Sequence, residues 1–302
     1  MSELILHHYW ESPYAEKIRR VMGMKKLAWR SVVIPMVMPK PDLTALTGGY
    51  RKTPVLQIGA DIYCDTDLIA RTIDRLHPNP PLFPGDTDSL ALMLGPWQQE
   101  LFWLCVRTAG VSAPVFPPGF VEDRATMLDV PLTMEKVMAD VAPQREQLRA
   151  KLDLLDSHLA RRLFVLGSQP SLADLSFFHP VYALKLIPQT APLLEPFKHV
   201  SVWIERIEAF GHGKPTEMTG AEAVAVANAA MPASGQGIDP AEPNGLRLGD
   251  RVSVVHESFG NDPVTGDLVA SSIHEVCVHR RDERAGDVVV HLPREHYKLR
   301  KI

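Results

Sequence analysis

Cysteine is scarce. The 302-residue chain carries 3 cysteines, Cys64, Cys105 and Cys277. They are odd in number, far apart and without the paired spacings of a disulfide framework or a zinc site. They read as buried, inert thiols, and no metal is expected. No apolar run approaches the ~20 residues of a membrane span, and Leu4-Ile5-Leu6 is far too short for the core of a signal peptide. A soluble, cytoplasmic chain with no membrane partner is the expectation. Neither sign of charge dominates: 36 Asp and Glu stand against 32 Lys and Arg, for a net charge of -4. No basic stripe of the kind that grips nucleic acid is present, and Asp282 and Glu283 interrupt Arg280, Arg281 and Arg284, which read as a solvated turn.

What is present is a change of period along the chain. Leu4-Ile5-Leu6 reads as a buried strand leading to His7, His8 and Tyr9. Ser12-Pro13 then opens a helix, Ser as N-cap and Pro in the first turn. Ile18, Val21 and Met22 form its apolar face, and Glu16, Lys17, Arg19 and Arg20 are expected to face water. Trp29 to Ile34 is a second strand, parallel to the first. After Pro39-Lys40-Pro41 a short helix covers Asp42 to Leu46. Val55 to Ile58 and Ile62 to Cys64 form a hairpin about Gly59-Ala60-Asp61, and Asp65-Thr66 caps a further helix. The order is β-α-β-α-β-β-α.

A proline-rich linker (Pro78, Pro80, Pro81, Pro84) precedes a helical region from Ser89 to about Phe210, with a break at Pro114 to Gly119 and an Ala-rich helix at Gly220 to Ala230. Met231 to Pro243 reads as a linker. Beyond it five segments alternate with period two: Arg251 to Val255, Val264 to Ala270, Ile273 to His279, Val288 to His291 and Tyr297 to Ile302. A small twisted sheet or barrel is expected there.

Four motifs give the order a family likeness. Trp10-Glu11-Ser12-Pro13-Tyr14 resembles the W-x-S-P-F segment of tau-class glutathione transferases, and the C-P-F-A-E-R segment of the omega class with Ser12 in place of Cys. Lys52-Thr53-Pro54-Val55-Leu56 resembles the family's K-x-P-V-L, Asp65-Thr66-Asp67-Leu68-Ile69-Ala70 its E-S-x-x-I, and Ser171-Leu172-Ala173-Asp174 its S/T-x-A-D cap. The resemblance covers roughly residues 4 to 230. It implies an α/β thioredoxin-like domain that binds glutathione (1–78) and an all-helical domain (86–231). A small all-β, barrel-like module (245–302) lies outside the family pattern.

The resemblance also implies roles. A thiol with pKa near ~8.5 must ionise to attack, and a hydroxyl at a helix N-terminus stabilises the thiolate. Ser12 is the candidate for that position, with plain capping as the alternative; Tyr9 is the second candidate donor. Thr53 and Pro54, whose bond is cis in the family, offer a backbone edge to the tripeptide. Asp65 and Thr66 meet its γ-glutamyl end at a helix N-terminus, although Asp is shorter than the family's Glu. Lys40 and Lys52 are candidates for its glycine carboxylate. Trp103, Arg107 and Phe116 are candidates for the pocket of a hydrophobic electrophile. The expected protein is a homodimeric glutathione transferase with glutathione as co-substrate. The alternatives are a glutathione-dependent isomerase or thiol reductase, against which Ser12 in place of Cys argues, and a non-catalytic binding or regulatory protein of the same fold.

Overall fold

The first helix departs from the expected amphipathic pattern. In the computed structural model, which describes residues 3–110, 112, 116–128, 141–233, 237–260 and 262–302, Glu16, Lys17, Arg19 and Arg20 are all buried. Helix α1 (Pro13–Met24) lies between the sheet and the helical half, so its polar face meets protein instead of water. The charges are satisfied internally: Glu16 Oε2 takes Arg19 Nη2 at 2.7 Å, Glu16 Oε1 takes Arg20 Nε at 2.6 Å, and Lys17 Nζ reaches Asp67 Oδ1 at 2.5 Å. Buried charge is tolerated when it is paired in this way.

The expected β-α-β-α-β-β-α order is present. Strand β1 (Ile5–His8) runs parallel to β2 (Ala28–Val33) and antiparallel to β3 (Val55–Ile58), and β3 pairs with β4 (Asp61–Cys64). Helices α2 (Pro41–Thr47) and α3 (Thr66–Leu76) complete the unit. Alternate strand residues face opposite sides. Leu6, Leu56 and Tyr63 join α1, α3 and the helical half in one core, and Ile5, Val55 and Ile62 join α2 and the C-terminal strands in another. The sheet is thus covered on both faces.

The helical half contains α4 (Asp88–Met93), α5 (Gly95–Gly110), α6 (Phe120–Leu128), α7 (Val141–Leu159), α8 (Leu172–Leu186) and α9 (Lys198–Glu208). Helices α4 and α5 are separated at Leu94, the C-cap of α4. Pro114, at the head of the expected break, lies outside the described residues. Helix α8 starts at the expected Ser171 cap: Asp174 accepts from Ser171 N at 2.9 Å, Ser171 Oγ at 2.8 Å, Val165 N at 2.7 Å and Trp203 Nε1 at 2.9 Å.

Two elements return to the sheet after the helices. Strand β5 (Lys214–Glu217), which no alternation announced, pairs parallel with β2, and the Ala-rich α10 (Gly220–Ala229) packs on α2. After the short β6 (Gly237–Ile238), the C-terminal strands are β7 (Arg251–His256), β8 (Val264–Ser271), β9 (Glu275–Asp282), β10 (Gly286–Pro293) and β11 (Tyr297–Lys301). The β extension is present, and its closure differs from the barrel-like expectation. The strands run in the open order β11-β7-β8-β9-β10 and continue through a parallel β10–β4 pair into the N-terminal sheet. An unpaired β4 edge would otherwise expose a row of backbone donors and acceptors.

Candidate active site

Strand register gathers the expected site residues at one end of the sheet. His7 on β1 lies opposite Val55 on β3, and Val55 lies opposite Cys64 on β4. The exit from β1, the Thr53-Pro54 entry to β3 and the Asp65-Thr66 exit from β4 therefore share that end.

Ser12 caps α1. Its Oγ accepts from Ala15 N at 3.2 Å, and it is 3% exposed. Among the described residues no acceptor takes its hydroxyl proton, which leaves that proton free to donate. Two residues on, Tyr14 rests against Phe102 of α5 (centroids 4.4 Å) and gives its hydroxyl to Gln99 at 3.1 Å. Burial pushes the Tyr14 phenol above its usual range.

Tyr9 occupies a different environment. Its hydroxyl accepts from Arg124 Nη2 at 3.2 Å, and Lys40 Nζ sits 5.9 Å from its ring. Lys40 Nζ also donates to Arg51 O at 3.1 Å and Thr53 Oγ1 at 3.3 Å. Burial, then the charge of Arg124, lowers Lys40 to about 8; Asp123 opposes this, and Arg51 adds a smaller lowering. Asp123 binds both Arg51 and Arg124 and accepts Met38 N at 2.9 Å. Lys40, Arg51 and Arg124 stand here against two carboxylates, Asp123 and the half-exposed Asp262 3.9 Å from Arg51, so the cluster carries one excess positive charge and favours an anion. The Thr53-Pro54 bond is cis.

Asp65 stands at φ 79 and caps α3, accepting from Asp67 N at 3.1 Å. Burial raises its carboxyl, assisted by Asp67 and opposed by Lys52. Lys52 is enclosed by aromatic rings: Phe259 at 4.3 Å, Tyr297 at 5.1 Å and Tyr50 at 5.7 Å. Burial lowers this ammonium to about 8, and the ring faces supply part of the attraction that water would. Phe259 also meets the edge of Trp103 at 6.0 Å, and Gly260 N donates to Met127 O at 2.6 Å. The turn after β7 therefore spans the N-terminal unit and the helical half.

Of the expected residues, Lys40 touches Thr53, Lys52 acts on Asp65, and Arg107 stacks over Trp103 at 5.6 Å. Phe116 stacks on Phe120 at 4.4 Å, whose ring carries Arg124 at 4.3 Å. Ser12 and Tyr9 share only a backbone bond, Ser12 N to Tyr9 O at 3.2 Å. Asp123, Arg124, Phe259 and Tyr297 were not anticipated. The first two lie on a helix with no motif, and the last two belong to strands and turns that alternation locates but cannot aim. Two surface concavities, about 400 Å³ beside α10 and Arg284 and about 330 Å³ between Gly48 and Arg281, involve none of these residues.

A β-α-β unit joined to a β-hairpin and helix, with a capped serine at one sheet end and a helical half behind it, defines the glutathione transferase class of fold. Comparison with known proteins agrees. Residues 6–81 match the family described as glutathione S-transferase, N-terminal domain, and residues 135–206 match the C-terminal domain. A GST-like protein from Pseudomonas syringae is 40% identical over 100% of both chains, with a TM-score of 0.82. The chain belongs to the glutathione transferase superfamily. It is also similar to glutathione S-transferase U4 of Arabidopsis thaliana, 26% identical over 86 residues; that match spans 28% of this chain and 38% of the relative. The tau-class enzyme of mango, Mangifera indica, shares the fold at 16% identity and TM-score 0.52, over 68% of this chain and 89% of that one. The C-terminal strands are thus matched in full by the Pseudomonas protein. No described helix is long and apolar enough to cross a membrane.

Proposed function

We propose that the chain is a glutathione transferase in which the Ser12 hydroxyl stabilises the thiolate of glutathione. The observation that carries this reading is the state of that hydroxyl: its oxygen is engaged by Ala15 N at the mouth of α1, and its proton is uncommitted among the described residues. In this reading residues 1–78 hold glutathione. The tripeptide backbone pairs at the Thr53-Pro54 edge, its γ-glutamyl end meets Asp65 and Thr66, and its glycine carboxylate meets Lys40; Lys52 faces Asp65. Residues 86–231 supply the acceptor pocket, with Trp103, Arg107 and Phe116 along it. The thiol proton leaves to solvent. The sulfur lone pair forms a C–S bond at an electrophilic carbon, and the leaving group departs with its bonding pair. A homodimer in the cytoplasm belongs to the same reading.

The test is turnover of glutathione with a generic aromatic electrophile. Ser12→Ala is expected to lower kcat by at least about tenfold, the loss of about 1.4 kcal/mol of thiolate stabilisation, in a chain that still folds but loses about 1 kcal/mol of stability with the helix cap. Equal turnover in wild type and Ser12→Ala defeats the assignment.

A specific observation favours a second reading, a glutathione-binding or regulatory protein without turnover: Phe259 already packs on both Lys52 and Trp103. Calorimetric binding of glutathione with no product from any electrophile selects it. Disulfide-reductase or isomerase activity with glutathione is the third outcome, and Ser12 in place of a cysteine weighs against it.

A further inference from the structure

The isolated cysteines hid a cross-strand cluster. Strands β9 and β10 pair antiparallel with Cys277 opposite His291. Glu275, two residues before Cys277, shares its face of the sheet. The three side chains converge. His291 Nδ1 lies 3.3 Å from Cys277 Sγ and 2.5 Å from Glu275 Oε1, and Cys277 Sγ lies 3.6 Å from the same oxygen. All three donor atoms fall within 4.8 Å of one another. They share no residue with the Ser12, Thr53 and Asp65 cluster.

The other side of the imidazole is fixed. His291 Nε2 lies 2.9 Å from Asp61 Oδ1, and Asp61 Oδ2 accepts Ala233 N at 2.9 Å. Tyr63 stacks on the ring at 4.2 Å. The Asp61 carboxylate holds the outer N–H, the arrangement by which outer carboxylates orient metal-bound histidines; Nδ1, which here donates to Glu275 Oε1, would give up that proton on binding a metal. Zinc bonds of about 2.3 Å to sulfur and about 2.0–2.2 Å to nitrogen and oxygen place tetrahedral ligands roughly 3.3–3.6 Å apart. Both separations involving sulfur already match. The Nδ1–Oε1 separation needs to open by about 1 Å, and Glu275, whose side chain is 22% exposed, has room to turn. A Cys–His nucleophilic pair suits the geometry less well, because Glu275 sits nearer to Nδ1 than the thiol does.

We propose that Glu275, Cys277 and His291 Nδ1 form a binding site for a divalent cation of the zinc type, with Asp61 as a positioning residue and the fourth coordination position left to water. Thiolate, imidazole and carboxylate together suit zinc better than magnesium or calcium. Binding releases the Cys277 thiol proton and any proton on Nδ1. The site would fasten the β extension to β4 where β10 pairs with it, since Asp61 belongs to β4 and the ligands to β9 and β10.

The test uses the full chain, stripped with chelator and then titrated with Zn²⁺ by calorimetry and with Co²⁺ by absorption. One equivalent per chain and a thiolate-to-cobalt charge-transfer band are expected. Cys277→Ser abolishes the band and weakens Zn²⁺ binding at least about tenfold. Asp61→Asn weakens it about 10- to 100-fold while keeping the band, as a positioning residue should. Glu275→Gln, at the most exposed ligand, keeps the band and loses affinity, and it serves if Cys277→Ser does not fold. Failure of the wild-type chain to bind either ion, or a charge-transfer band undiminished in Cys277→Ser, overturns the proposal. Cys64 and Cys105 are fully buried and are not expected to supply the band.

Discussion

Three buried histidines set how this protein meets acid. Burial holds His7 at about 4 despite its bond to Gln57 Oε1 at 2.8 Å. Burial, then the Arg19 charge, holds His8 at about 3, and burial, then Lys17, holds His179 at about 3. All three are neutral in the fold and charge in the unfolded chain near 6.5. Their folded values are depressed, so their stabilisation is complete above pH 6.5 and is lost as pH falls toward 4 and 3. Each costs at most about 1.4 kcal/mol per pH unit across that window. Glu16 adds a second window. Burial alone would raise its carboxyl, but His212, Arg19 and Arg20 outweigh this and hold it at about 2, so its contribution is lost between 4.5 and 2. Urea midpoints should therefore fall between pH 7 and 5.5, and again below 4.5. His7→Gln should flatten the first slope. Superimposable urea curves at pH 7 and 5.5 would show that these imidazoles are not held neutral.

At the scale of elements, motifs that encode their own local partner were legible in the sequence. The Ser12-Pro13 start of α1, the Gly59-Ala60 hairpin and the Ser171 cap of α8 each depend on residues within a few positions. The polar face of α1 departs from the water-facing pattern because Asp67 and His212, which join the local Glu16–Arg19 and Glu16–Arg20 pairs in one buried ion network, lie far along the chain. Strand β5 was invisible for the related reason that its residues are exposed and lack alternation. Asp174 shows how much one readable cap carries: four donors from three segments converge on its carboxylate, which burial raises. Asp174→Ala leaves those donors unpaired and should cost about 3 kcal/mol or more. Asp174→Asn, which keeps one acceptor oxygen, should cost less. Denaturant midpoints of the two variants against wild type decide this, and equal losses would mean that packing, rather than the bonds, sets the value of the position.

For the whole molecule, the sheet's continuity decides whether the last strands are an accessory or a part of the fold. Val289, Val290 and His291 of β10 pair with Asp61, Ile62 and Tyr63 of β4, and Val252, Val278 and Val290 share a core with Ile5, Val55 and Ile62. The candidate site has the same dependence. Its N-terminal half was readable from Ser12, Thr53 and Asp65, whereas Tyr297 reaches Lys52 across a separation of 245 residues, a contact that local pattern cannot encode. A chain ended after Ala233 loses both the cover of β4 and two of the three rings around Lys52, Phe259 and Tyr297. It uncovers a hydrogen-bonding edge beside apolar residues, the combination that drives edge-to-edge association. Size-exclusion chromatography should show this truncated chain as larger, heterogeneous species, and its unfolding midpoint should lie well below that of the full chain. If instead it elutes as one species of wild-type stability, the N-terminal unit closes its own edge, and the C-terminal strands serve only the space around Lys52 and Trp103. Glutathione binding by that same truncated chain then isolates what Phe259 and Tyr297 contribute, because Tyr50 is the one of the three rings left beside Lys52.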